Sequence, residues 1–368
     1  MKAKIILIIL TILALSCESR QYFIAEVENT VYKPNKEFQS MEDLSNPGFS
    51  HLIEKYRLDT IFHGETDEFK RILLLRHWIK SVIKIEDHSP RYSGEGYAER
   101  ILDAALGGEG FHCGHFMTVQ NGIMNAYGYL TRCLGAGPGV RGVEGPDGHH
   151  GINEIWLNQF NKWLLSDAKY DHHFEKNGIP LSALEIRDEY LKNKAADIVL
   201  VKGPERRAIE FDEEVKRPKE SFARTYTWIT WQGNGDYFSA WPEHTGKVMM
   251  YEDDFYRENT WIRDGKPCWI YDHMDVINLI KDRDRIEWTP NTIASEVNIE
   301  GNKASISLLS DTPNLKEYQV RESSTGGWEK VDEIYNLDLK KKKYELAFRT
   351  VNLAGVIGPE HQVIIDSK

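Results

Sequence analysis

Helical periodicity dominates the first half of the chain. Thr66 fits an N-cap, Asp67 and Glu68 fall in the first turn, and Phe69, Ile72, Leu73, Ile79, Val82 and Ile83 recur on one face, predicting a helix over 67–85. Shorter helices are predicted over 49–56 and over 99–106, the latter stopped by Gly107-Gly108. A further helix starts at Cys113, carries Phe116, Met117, Ile123, Met124 and Tyr127, and ends at Gly128. The pattern then turns to short, glycine-punctuated alternation, predicting strands over 132–135, 151–157 and 162–167. Asn158-Gln159-Phe160-Asn161 joins the last two as a hairpin connection. Helices followed by a small antiparallel sheet define an α+β arrangement.

The second half is less regular. Residues 182–194 and 213–221 are polar and read as helical or loop insertions. Trp228, Trp231, Trp241, Trp261, Trp269 and Trp288 crowd residues 228–288. They either line a sugar or peptide groove by stacking or pack the seam between domains. Thr289-Pro290-Asn291 reads as a linker, and alternating runs at 304–308, 318–321, 344–351 and 362–365 predict a C-terminal β-sandwich. A length of 368 residues exceeds a single core. The expected units are an extension at 18–60, a core at 61–200, its Trp-rich continuation at 201–288 and the sandwich at 289–368.

Composition adds little, with 41% hydrophobic and 28% charged residues, but the formal net charge of −11 argues against a nucleic-acid partner. The N-terminus is more telling. Lys2 and Lys4 precede an apolar run, residues 5–15, too short to span a bilayer. It ends in Leu13-Ala14-Leu15-Ser16-Cys17, which resembles the bacterial lipobox, with Ala14 where leucine is more usual. That resemblance implies a lipoprotein-type signal peptide over 1–17, acylation of Cys17 and anchoring to the outer membrane or cell surface, with a periplasm-facing position also open. A plain secretory signal is the alternative, and both imply export. In an oxidising compartment, two of the four cysteines, Cys133 and Cys268, either pair or stay as buried thiols, leaving Cys113 as the odd thiol.

Cys113 follows a glycine-rich approach and opens a helix, whose N-terminus favours a thiolate. His150 opens one strand and Asp167 closes the next, so nucleophile, base and orienter occur in chain order. Residues 67–171 resemble the transglutaminase-like, papain-like core: the helices at 67–85 and 99–106, the cysteine helix with Gly114, Arg132 leading into a strand, His150-Gly151-Ile152-Asn153-Glu154-Ile155-Trp156, and Trp163-Leu164-Leu165-Ser166-Asp167. Ile152 stands where that family commonly has an aromatic ring. The run 344–355 is similar to the penultimate strands of fibronectin type III-like modules.

The resemblance implies a Cys113–His150–Asp167 triad, with His150 rather than His149 as base. The Cys113 N–H and the Tyr92 or Tyr97 side chain are the oxyanion candidates. It implies an amide hydrolase acting on a peptide, protein or glycopeptide through a thioester, without a cofactor. An amine acceptor would make the same triad a transglutaminase. A noncatalytic carbohydrate- or peptide-binding surface lipoprotein is the reading from a different class. His112, His115, His149, His150, His172 and His173 lack the spacing of a zinc motif, and neighbouring histidines on a strand diverge, so no metal is expected.

Overall fold

The computed structural model describes residues 20–28, 31–86, 96–137, 150–216, 218–240, 248–259, 262–263, 266–267 and 278–368. The expected signal segment with Cys17, and Tyr92, His149, Cys268, Trp241, Trp261 and Trp269, lie outside the described residues. The chain is mixed α and β with several small sheets.

Helices α1 (Pro47–Tyr56), α2 (Glu68–Val82), α3 (Tyr97–Leu106) and α4 (Cys113–Ala126) follow the apolar spacing closely. The start of α2 is one residue later than expected. Asp67, not Thr66, is the N-cap, because its carboxylate accepts the Lys70 N–H at 2.9 Å. The helix also ends earlier than expected, at Val82. The β-branched Ile83 turns extended, and Lys84–Ile85 pairs in parallel with Gly110–Phe111. That short pairing ties the end of α2 to the segment that delivers α4.

The central sheet is larger than expected. Its six strands run in the order Asn278–Ile280, Val248–Tyr251, Trp228–Gln232, Thr131–Gly137, His150–Leu157 and Lys162–Ser166. All neighbours are antiparallel except the first pair. Three strands of the Trp-rich segment, Trp228–Gln232, Val248–Tyr251 and Asn278–Ile280, thus belong to the central sheet. Trp228, Trp231 and Trp288 are buried, so these three pack the interior instead of lining a groove. Strand alternation sends Leu134, Ala136, Ile152 and Trp156 to the core shared with α5 (Ala183–Asn193). Ile155, Leu157 and Leu164 go to the core under α1–α4.

Two further antiparallel sheets share a C-terminal core of Ile306, Leu308, Val320, Phe348, Val363 and Ile365. One edge strand of the larger is Tyr22–Val27, which pairs with His361–Ser367. Residues 289–291 are no free linker. Thr289 Oγ1 accepts the Lys33 N–H at 2.9 Å, Asn291 Nδ2 donates to Asn158 Oδ1 at 2.9 Å, and Asn352 Nδ2 donates to the Gly128 carbonyl at 3.0 Å. Gly128, at φ 76°, has no room for a side chain: a Cβ would lie 2.6 Å from that of Ala354.

One buried charge pair spans the central sheet. Glu154 accepts from Arg132 Nε at 2.9 Å and Nη2 at 2.6 Å, from Trp231 Nε1 at 2.9 Å and from the Ala183 N–H at 2.7 Å. Arg132 is 2% exposed and cannot reach water if its partner is lost. Glu154→Leu is expected to destabilise the fold by about 3–5 kcal/mol. Urea unfolding measures this, and a loss below about 1 kcal/mol would show that the guanidinium finds other partners.

Candidate active site

Cys113 sits at the first position of α4, where the helix dipole favours negative charge. His112 precedes it with extended backbone and caps the helix, its Nδ1 accepting the Gly114 N–H at 3.1 Å. An imidazole in this slot is unusual, since short oxygen-bearing side chains dominate N-caps. His150 is the first residue of its strand in the central sheet, paired with Ala136 in the neighbouring strand. The approach depends on Gly151: a Cβ there would stand 3.3 Å from Gly114 Cα and 3.5 Å from the Cys113 carbonyl carbon. Its absence lets the strand lie against the first turn of α4, and the Gly151 N–H donates to the thiol sulfur.

His150 Nε2 donates to Asp167 Oδ2 at 2.6 Å, which leaves Nδ1 as the ring nitrogen for Cys113. Asp167 is 1% exposed and more fully partnered than a lone orienter. The Tyr226 hydroxyl donates to Oδ2 at 3.1 Å, the Tyr170 N–H donates to Oδ1 at 3.2 Å, and His172 Nε2 lies 3.3 Å from Oδ2. His172 Nε2 also donates to the Tyr226 oxygen at 2.9 Å. The half-exposed Tyr170 ring stands 5.6 Å from the His150 ring and walls one side of the site.

Burial alone would push the Cys113 thiol up. Hydrogen bonds from His112 and His150, the imidazolium charge and the Gly151 N–H reverse this and bring it down to about 4. Burial would likewise depress His150, but the charge and hydrogen bond of Asp167, with the Cys113 thiolate, raise it to about 10. Asp167 is held well below the usual carboxylate range, because the charges of His150 and His172 and their hydrogen bonds outweigh burial. The resting pair is therefore thiolate and imidazolium, the attacking form for a carbonyl carbon.

The structure thus brings Cys113, His150 and Asp167 together. Tyr97 heads α3, is buried, and packs its ring 6.1 Å from that of His115, which in turn lies 4.2 Å from the His112 ring. His172 and His173 diverge into separate networks. His173 accepts from Arg76 at 3.0 Å and donates to Glu175 at 2.8 Å, and burial pushes it down to about 4. Asp171, at the hairpin tip beside Asp167, takes Arg76 Nε at 2.9 Å and His77 Nδ1 at 2.6 Å, which fastens this hairpin to α2. Among the described residues no group of three or more His, Cys, Asp or Glu side chains is arranged to hold a metal ion. Sequence reading missed His112, His172 and Tyr226. Only His112, adjacent to the cysteine, had a local signal; Tyr226 lies 59 residues beyond Asp167.

Cys133 provides an internal reference. It is a buried free thiol whose Sγ receives Asn153 Nδ2 at 3.5 Å, and burial followed by the Glu42 charge pushes it far up. Alkylation by iodoacetamide requires thiolate, so its rate rises with pH through the thiol's own value. At pH 6 Cys113 is expected to be alkylated at its full rate while Cys133 resists until unfolding. His150→Ala is expected to move the acid limb of the Cys113 rate profile above about pH 6. Mass spectrometry of the alkylated peptides reads both, and equal rates for the two cysteines would contradict the assigned ionisation.

Neither a protein-family model nor a curated protein matches the chain.

Proposed function

We propose that this chain is an exported, transglutaminase-like cysteine hydrolase that cleaves an amide bond in a peptide or glycopeptide. The carrying observation is the alignment of Cys113 at a helix N-terminus with His150, whose far nitrogen is held at 2.6 Å by the buried Asp167. The Cys113 thiolate attacks the carbonyl carbon, and the developing oxyanion lies by the Cys113 N–H and a side-chain donor. Imidazolium His150 protonates the leaving amine, and the C–N bond breaks to give a thioester. Neutral His150 then takes a proton from a water whose oxygen attacks the thioester carbon, and the C–S bond breaks, releasing the acid and restoring the thiolate. Asp167 holds the ring in the orientation both steps need.

The same reading assigns residues 61–200 as the catalytic core, 201–288 as its continuation, and 289–368 as a fibronectin type III-like sandwich to which Tyr22–Val27 adds a strand. The paired C-terminal sheets with a common core support that assignment. Acylation of Cys17 anchors the protein to the outer membrane or cell surface.

Activity requires ionised Cys113 and protonated His150 together. It is lost as pH falls through about 4, where the thiol regains its proton, and as pH rises through about 10, where His150 loses the proton owed to the leaving amine. A plateau across the neutral range is expected for kcat/KM. Profiling against peptide and glycopeptide amides, with and without an added primary amine, separates hydrolysis from transfer. Cys113→Ala and His150→Ala are each expected to lower turnover by at least about 10³-fold, and Asp167→Asn by roughly 10²-fold. Undiminished turnover in the Cys113 variant would remove the mechanism.

A further inference from the structure

The end of the five-stranded sheet where the chain enters at Arg20 is built around four consecutive lysines. Lys340 to Lys343 turn the chain into the strand Lys343–Asn352. Their backbone is tied inward. The carbonyl of Lys340 accepts from the Arg20 guanidinium, that of Lys341 from the Tyr22 hydroxyl at 3.2 Å, and that of Lys342 from Ser367 Oγ at 3.0 Å. The Tyr344 hydroxyl takes the N–H groups of Lys340 and, at 2.8 Å, Lys341. With the backbone satisfied inside, the side chains point outward: those of Lys340 and Lys341 are 79% and 65% exposed. The last residue joins them, since the Lys368 N–H donates to the Gln21 carbonyl at 3.0 Å. Its ammonium lies 5.5 Å from the ring of Phe23, which with Ile24 is exposed on the edge strand.

Carboxylates are present but weakly engaged. Asp338 lies 4.0 Å from Lys340 and Glu322 3.7 Å from Lys341, both between exposed groups, where pairing is worth little and salt screens it. Glu345 holds Lys343 at 2.6 Å, and Asp366 lies opposite it in register. Among the described residues Lys342 and Lys368 form no ion pair. A basic cluster beside exposed apolar side chains stands out in a chain of net charge −11.

Only Glu18 and Ser19 lie between Cys17 and Arg20, a span of at most about 11 Å. A lipid on Cys17 therefore holds this end of the sheet against the bilayer surface. We propose that Arg20, Phe23, Lys340, Lys341, Lys342 and Lys368 form a membrane-docking surface that seats on anionic lipid headgroups. The proposal rests on the acylation read for Cys17. The lysines supply charge attraction, each worth roughly a five-fold gain near an anionic surface, and Phe23 supplies an apolar contact at the interface.

The test is an amine-acetylation footprint of the acylated full chain, read by mass spectrometry with the exposed Lys192 as reference. In phosphatidylcholine vesicles with about one-third phosphatidylglycerol, Lys340, Lys341, Lys342 and Lys368 should label at least about ten-fold more slowly than in nonionic micelles. Pure phosphatidylcholine or high salt should abolish the protection. Equal labelling in anionic vesicles and micelles would overturn the docking surface while leaving the anchor intact. Equal protection in neutral vesicles would also overturn it, since the tether alone would then account for shielding. A chain recovered without a lipid on Cys17 would defeat the anchoring reading, and the docking surface with it.

Discussion

The site depends on one buried charge. Removing a carboxylate from water is costly, and an ion without partners would neutralise rather than stay charged in the interior. Asp167 stays ionised because its two oxygens receive His150, Tyr226 and the Tyr170 N–H, with His172 alongside. The arrangement couples chemistry to folding. A carboxyl held below its unfolded value contributes stability that is fully present above the ordinary carboxylate range and is lost as pH falls through the depressed value. The group that orients His150 therefore also fastens the hairpin on which it sits. Four residues on, Asp171 repeats the device toward α2 through Arg76 and His77, so one carboxylate holds the imidazole and the other ties the hairpin to the helical layer.

Position follows from backbone economy at two places. The parallel pair Lys84–Ile85 and Gly110–Phe111 sets where α4 begins, and Gly151 lets the histidine strand approach its first turn. Neither contact carries chemistry. Each converts a local sequence feature, a β-branched stop or a missing Cβ, into the separation between thiol and imidazole on which the proposed acyl transfer would depend.

Much of this was legible from pattern. The faces of α1–α4 followed apolar spacing, and Cys113, His150 and Asp167 were identifiable because a helix start, a strand start and a strand end are local signals. What escaped was non-local. Strand Trp228–Gln232 joins the sheet by pairing with Thr131–Gly137, nearly a hundred residues earlier, and its tryptophans look the same in sequence whether they face a core or a groove. Tyr226 enters the site from that distant segment, so nothing near Asp167 announces it. The edge strand Tyr22–Val27 escaped for the same reason, since its partner lies at the other end of the chain. Asp67 displaced Thr66 as a cap because either side chain suits the slot, and only geometry decides which one reaches the Lys70 N–H.

The junction at residues 289–291 bears on how the two halves act together. A flexible linker would let the C-terminal sheets tether the core without orienting it. Here the connection is buried and cross-bonded to two separated segments, through Lys33 and Asn158, with Asn352 reaching Gly128 just beyond α4. Bonds of this kind resist hinge motion, since opening them would leave buried amides without partners. Gly128 follows the C-terminal end of the same helix whose N-terminus carries Cys113. An orientation imposed on the C-terminal sheets is thus transmitted through one rigid helix to the thiol. If the proposed lipid on Cys17 holds the chain within about 11 Å of a bilayer, that rigidity would fix how far from the membrane a bond must lie to be reached.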